Sequence, residues 1–197
     1  MTDSSLVGAR ARHRRIAIAL VHHPVLDKQR AIVTTAITNL DVHDLSRSAR
    51  TYGVSDYFIV HPITAQRELL QRICEHWRDG AGGKRIPDRK LALELVRAVT
   101  TLEEAFLALG GRENVEVWVT AARKLRPPVT LTEARARLET EGKPVLVVFG
   151  TGWGLADSVI DGADALLEPV RAREDTGYNH LSVRAACAIT LDRLLGF

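Results

Sequence analysis

Apolar residues along this chain gather in short unbroken runs, and between the runs they recur every three or four positions. Ile16–Val21 (Ile-Ala-Ile-Ala-Leu-Val) is the first run, ended by His22-His23-Pro24, and reads as a strand buried on both faces. Residues 31–38, β-branched and apolar, predict a second strand. Asn39 and Asp41 then offer cap oxygens to a helix over 42–52, whose apolar face is Val42, Leu45, Ala49 and Tyr52 and whose end is marked by Gly53. A strand over 56–61 precedes Pro62, and Thr64–Arg78 has the period of an amphipathic helix. Residues 79–87 read as a flexible basic loop, followed by helices over 88–99 and 101–109. Strands over 115–119, 144–149 and 163–167 then alternate with helices over 131–140, 155–161 and 180–195. This alternation implies an α/β fold with a mainly parallel sheet flanked by helices.

In such sheets ligands sit beyond the carboxyl ends of the strands. Here those ends carry His22-His23, Thr120-Ala-Ala-Arg123, the glycine loop Gly150-Thr-Gly-Trp-Gly154 and Glu168-Pro169. Three positions without Cβ let a flat ligand lie on main chain. One reading is a dinucleotide-binding, NAD-type oxidoreductase, because Gly150-x-Gly152-x-Gly154 follows a strand and Glu168 lies about 20 residues on. That fingerprint wants a further glycine where Leu155 stands and opens its domain, whereas this loop lies late and must complete one. Glycines serving only a tight strand-to-helix turn are another reading.

Composition narrows the classes. The 197 residues, 46% hydrophobic and 26% charged, suit one domain of ordinary size, expected over 16–197 behind a basic disordered tail over 1–15. No apolar run approaches the ~20 residues needed to cross a bilayer, so no membrane partner is expected. Cys74 and Cys187 form no C-x-x-C pair, which argues against a disulfide framework and fits a reducing cytoplasm. The histidines show no metal-ligand spacing, and no metal is expected. A net charge of +3 permits an anionic partner if the charge is clustered.

Three segments carry a resemblance. Asp41-Val-His-Asp-Leu-Ser-Arg47 with Gly53, Val147-Val-Phe-Gly150-Thr-Gly-Trp-Gly154-Leu155, and Tyr178-Asn-His-Leu-Ser182-Val-Arg-Ala-Ala186 are similar, in order and spacing, to the three motifs of the SPOUT class of RNA methyltransferases. More narrowly, residues 14–197 resemble a bacterial branch of S-adenosylmethionine-dependent RNA methyltransferases, found alone or after a tRNA guanine-N1 methyltransferase domain. The resemblance implies a C-terminal deep trefoil knot, S-adenosyl-L-methionine as cofactor and tRNA or rRNA as substrate. It also implies a homodimer, here through the last helix, which is too apolar and too rich in small residues for a one-sided surface helix. The chain departs from the ribose-methylating relatives where Asp41 and His180 replace asparagines and Gly152 replaces a glutamate. A catalytically silent RNA-binding module on the same fold is the rival within this class.

Carried over from the motifs, the cofactor is expected against Thr120, Ala121, Gly150, Gly152, Leu155, Leu167, Pro169, His180, Leu181 and Ser182, with Leu155, Leu167 and Leu181 equally readable as core. Arg47 is the candidate to position the reacting nucleotide, against an alternative ion pair with Asp44 one turn earlier. Its guanidinium stays protonated at ordinary pH, which disfavours it as a proton acceptor. Asp41 is the candidate base, or else a helix cap. Tyr178 and Trp153 read as stacking partners for a base, Trp153 alternatively as a core plug. Lys84 and Arg85, Arg123 and Lys124, and Arg171 and Arg173 form clusters suited to RNA phosphates, or to plain solvation.

Overall fold

A computed structural model describes residues 14–122, 127–174 and 176–197. Its main sheet contains β1 (Ile16–Val21), β4 (Tyr57–Val60), β5 (Val96–Val99), β6 (Glu116–Val119), β7 (Val145–Gly150) and β8 (Ala165–Leu166). They run in the order β5-β4-β1-β7-β6-β8, and every pairing between neighbours is parallel. The central β1 pairs with β7 over its whole length, Ile16 opposite Val145 and Val21 opposite Gly150. The late glycine loop therefore leaves the middle of the sheet, beside the end of the first strand.

Alternation along β1 sorts the two cores. Ile16, Ile18 and Leu20 face a layer built by α1 (Asn39–Thr51), α2 (Thr64–Arg78), α4 (Pro87–Leu93), α6 (Leu131–Leu138) and α8 (Val183–Leu195). Ala17, Ala19 and Val21 face α5 (Leu102–Ala108) and α7 (Asp157–Asp161) on the other side. Burial on both faces is what parallel strands need, and it explains why their sequences are continuous apolar runs.

Besides shifts of a few residues at element ends, the structure differs from the sequence reading in four places. Residues 31–38 do not enter the sheet: only β3 (Ile32–Val33) is extended, pairing antiparallel with β2 (Val25–Leu26) in a small hairpin. The helix expected to reach residue 99 stops at Leu93, and Val96–Val99 forms the edge strand β5. The loop 79–87 contains a short helix, α3 (Ala81–Arg85). Thr38, not Asn39 or Asp41, caps α1, its hydroxyl accepting from the Asp41 amide.

Of the basic tail expected over 1–15, the first 13 residues lie outside the described ones. Arg14 is buried, its Nε donating to the Lys143 carbonyl at 2.7 Å and its guanidinium pairing with Glu116. Arg15 pairs with Asp56 at 2.6 Å. These contacts anchor the approach to β1.

Candidate functional site: a cleft at the carboxyl ends of the strands

A cleft of about 730 Å³ opens where β6, β7 and β8 end and α8 begins. Thr120 and Ala121 follow β6, the loop from Gly150 to Leu155 follows β7, Glu168, Pro169 and Val170 follow β8, and Asn179 to Arg184 lead into α8. The opposite wall is Thr35, Thr38 and Asp41, with Asp27, Lys28 and Arg30 from the hairpin.

The glycine loop is held by the hairpin. Trp153 N–H donates to the Leu26 carbonyl and Leu26 N–H to the Gly154 carbonyl, both at 2.9 Å. A Cβ on Gly150 would stand 2.8 Å from the Leu155 nitrogen, and one on Gly152, at φ +60°, 2.9 Å from the Leu26 carbonyl oxygen. These two glycines thus let the loop fold on itself and on the hairpin. Gly154, at φ +108°, faces open space, so backbone conformation alone calls for glycine there.

Behind the loop lies a buried polar chain. Thr151 Oγ1 donates to the Val21 carbonyl at 3.1 Å and so accepts from the Thr35 hydroxyl; Thr35 Oγ1 in turn accepts from His22 Nδ1 at 3.0 Å. His22 thus carries a proton on Nδ1, and its buried Nε2 has no partner among the described residues to hold a second one, which leaves the ring neutral. Burial, reinforced by His61 nearby, pushes the His22 pKa down to about 4. His61 accepts the Ile63 amide at Nδ1 and donates from Nε2 to the Thr35 carbonyl, so it too is neutral, its pKa lowered chiefly by burial. The sequence reading placed His22 at a strand end without assigning it a role; its one signal was a polar doublet directly after a fully apolar strand.

Across the cleft, Asp41 is 5% exposed and both its oxygens are engaged. Arg184 Nη1 donates to Oδ1 at 2.8 Å and the Thr38 hydroxyl to Oδ2 at 2.6 Å. Arg184 also reaches Asp44 at 3.5 Å, so the Asp44 ion pair weighed for Arg47 is made by Arg184 instead. Arg47 is exposed on α1, outside the cleft lining, and its side chain makes no ion pair or hydrogen bond to a described residue. His43 packs edge-on to Trp77 at 5.2 Å and takes no part in the cleft; burial and the nearby Arg89 lower its pKa.

Residues 15–196 match a family described as SAM-dependent RNA methyltransferase. The chain belongs to that family. It is 44% identical over 183 residues to a tRNA (guanine-N(1)-)-methyltransferase of Oleidesulfovibrio alaskensis, an alignment covering 93% of this chain and 42% of the relative. The chain thus spans about two fifths of that protein. Among solved structures it resembles a probable methyltransferase from Bordetella pertussis Tohama I (TM-score 0.62, 19% identity, 92% of this chain and 95% of that one). It also resembles the A. aeolicus TrmH/SpoU tRNA modifying enzyme (TM-score 0.57, 13% identity, 93% and 76%), which confirms the SPOUT-like fold.

The family's cofactor is S-adenosylmethionine, and the cleft suits it. Its volume lies in the range of small-molecule sites, about 300–1,000 Å³, and its walls combine Phe149, Leu155, Ile160 and Val183 with loop backbone. Among described residues the Gly152 N–H has no acceptor, leaving a donor for a ligand. The dinucleotide reading loses its acidic residue: Glu168 Oε1 accepts the Leu131 amide at 2.7 Å and serves the start of α6.

Nine of the ten residues expected around the cofactor line the cleft; Leu167 does not, being 1% exposed in the core beneath. Lys84 and Arg85 are exposed on α3, which packs on α2 and α4 away from the cleft. Arg171 and Arg173 are exposed on the segment between β8 and α8, while Arg123 and Lys124 lie outside the described residues. Trp153, at 53% exposed, is no core plug. No helix among the described residues is long and apolar enough to cross a membrane.

Proposed function

We propose that this chain methylates a nucleotide of tRNA or rRNA, acting in the cytoplasm as a homodimer whose C-terminal half is a deep trefoil knot. The observation that carries the reading is one cleft, lined by the loops after β6, β7 and β8, in which residues from all three motif segments meet: Asp41, the loop from Gly150 to Leu155, and Asn179 to Arg184. The name of the O. alaskensis relative favours tRNA.

S-adenosylmethionine, when bound, supplies a methyl group open to in-line displacement. What remains for the protein is to hold a nucleophile against that group with water excluded, which is where positioning contributes most of the rate. Thr120, Ala121, Gly150, Gly152, Leu155, Pro169, His180, Leu181 and Ser182 form the walls for the nucleoside and its tail. Because both Asp41 oxygens already hold donors, we assign Asp41 to shaping the wall and not to taking the proton. Arg47 points no contact at its own cleft; we assign it to the RNA of the partner protomer's cleft, with Arg171 and Arg173 as phosphate contacts and Lys84 and Arg85 as more distant ones. The half-buried residues Ala185, Ala186, Ala188 and Ile189 on α8 are the proposed seam between protomers.

The test is mass spectrometry of nucleosides from tRNA and rRNA incubated with the chain and S-adenosylmethionine. A new methylated nucleoside is expected; its absence from both RNAs, with the cofactor bound, leaves the silent RNA-binding module instead. Arg47→Ala is expected to abolish transfer with cofactor affinity within about tenfold of wild type. Loss of cofactor binding in that variant would make Arg47 a pocket or folding residue.

A further inference from the structure

The rim of the cleft carries two aromatic side chains, Trp153 and Tyr178, to which the methyl-transfer reading gives no role. Trp153, at the turn of the glycine loop, is 53% exposed, Tyr178 is 72% exposed and Leu181 is 48% exposed. His180 joins the two rings: its imidazole lies 5.9 Å from Trp153 at 68° and 5.2 Å from Tyr178 at 64°. Trp153, His180 and Leu181 line the cleft itself.

Single exposed apolar side chains are ordinary. Two large aromatic rings and a leucine on one rim, bridged edge-to-face by a histidine, are a surface patch with a shape. The main chain beneath both rings is also held in place. The Trp153 amide is bound to the hairpin at the Leu26 carbonyl. The Tyr178 amide and carbonyl both meet the Thr176 hydroxyl, at 3.3 and 3.2 Å. With the main chain held and each ring packed edge-on against His180, the pair loses less freedom when something flat lies on it.

Charge around the patch names the occupant. Arg171 and Arg173, with Glu174 beside them, are exposed on the segment leading to Tyr178, and Lys28, next to Asp27, stands on the hairpin that borders the same cleft. Aromatic faces beside cations suit a nucleotide: the rings take the base, and the cations take its phosphates. We infer that Trp153 and Tyr178, set by His180, form a stacking platform for an unpaired base of the RNA, receiving the nucleotide drawn out of its stack at the cleft mouth. This rests on the RNA methyltransferase reading and adds the element that would hold the substrate base.

The test measures binding, not turnover. Wild type, Trp153→Ala, Trp153→Phe and Tyr178→Ala are titrated with unmodified tRNA transcript, a short single-stranded oligoribonucleotide and its abasic counterpart; S-adenosylmethionine is titrated separately by calorimetry. Trp153→Ala and Tyr178→Ala should each weaken tRNA and oligonucleotide binding about tenfold, within the range for loss of one stacked base. Trp153→Phe should restore most of it, and the abasic strand should bind wild type and variants alike. Tyr178 is exposed enough that its substitution spares the fold, which keeps the test open if Trp153→Ala misfolds.

Unchanged RNA affinity in both alanine variants overturns the inference. So does a parallel fall in cofactor affinity, which would give the rings to the cofactor's adenine, or dissociation of a dimer, which would give them to a second copy. Wild type that methylates RNA while the variants bind it normally removes the platform alone. Wild type that binds no RNA removes the methyltransferase reading with it.

Discussion

Arg184→Met should be the costliest single substitution at the cleft that leaves the core untouched. The Asp41 side chain is 7% exposed and Arg184 33% exposed, with 2.8 Å between Oδ1 and Nη1. Removing one member of a buried pair costs about 3–5 kcal/mol, because the remaining charge is stranded. Here Arg184 is partly solvated, which screens the pair, and Thr38 still donates to Oδ2. A loss of about 2–3 kcal/mol remains, or about 4–12 °C in melting temperature for a chain of this size. Asp41→Asn should cost less, about 1 kcal/mol: the amide keeps the Thr38 bond, and the half-exposed guanidinium turns to Asp44 and water. The double variant strands no charge and should be more stable than Arg184→Met alone. Thermal melts of the three variants and wild type at neutral pH complete the cycle. The reasoning fails if Arg184→Met melts with wild type, or if the double variant loses the sum of the two single losses.

Two other outcomes follow from the buried network and the loop. His22 is neutral in the folded chain, with its pKa at about 4 against 6.5 when unfolded. The lowered value makes folding lose stability as pH falls through 6.5 toward 4, since only the unfolded chain takes the proton; His61 and His43 shift in the same direction. The His22 share reaches about 3 kcal/mol at the bottom of that window. His22→Asn, which keeps a donor toward Thr35, should flatten melting temperature against pH there, and an unchanged slope would remove His22 as its source. Gly152→Ala meets both a left-handed φ and the Leu26 carbonyl, whereas Gly154→Ala meets strained φ alone. Gly152→Ala should therefore displace the hairpin and weaken S-adenosylmethionine more than Gly154→Ala in calorimetric titration, each also losing about 1–2 kcal/mol of stability; equal effects would mean that the hairpin contact does not shape the cleft.

What was legible in the sequence was what periodicity encodes. The helix Thr64–Arg78 was read to the residue, and the apolar run before Gly150 was read as the strand it is. The β5 edge strand was missed because Ala92, Leu93, Val96 and Val99 keep a helical spacing past the real end of α4, and four residues buried only at their two ends show no alternation. Residues 31–38 looked like a strand because they are β-branched. Their threonines serve instead as hydroxyl partners: Thr35 to His22 and Thr151, Thr38 to Asp41 and its amide. The loops of the cleft could be named in advance because they follow strands. The pairing of Asp41 with Arg184 could not, since 143 residues separate the partners and neither position is unusual alone.

That pairing also accounts for one departure from the related motifs. An asparagine at position 41 would be neutral, and a buried carboxylate there is tolerable only with a cation beside it. Arg184 supplies the cation from the second residue of α8, directly after the segment Asn179–Leu181–Ser182 that walls the cleft. The carboxylate in the first motif segment is thus balanced by a guanidinium in the third. The mechanical result is that the start of α8 is tied to the first turn of α1, and a second tie, Tyr52 Oη donating to Asp192 at 2.9 Å, joins the far ends of the same two helices. The cleft wall and the helix bearing Arg47 are thus fastened at both ends.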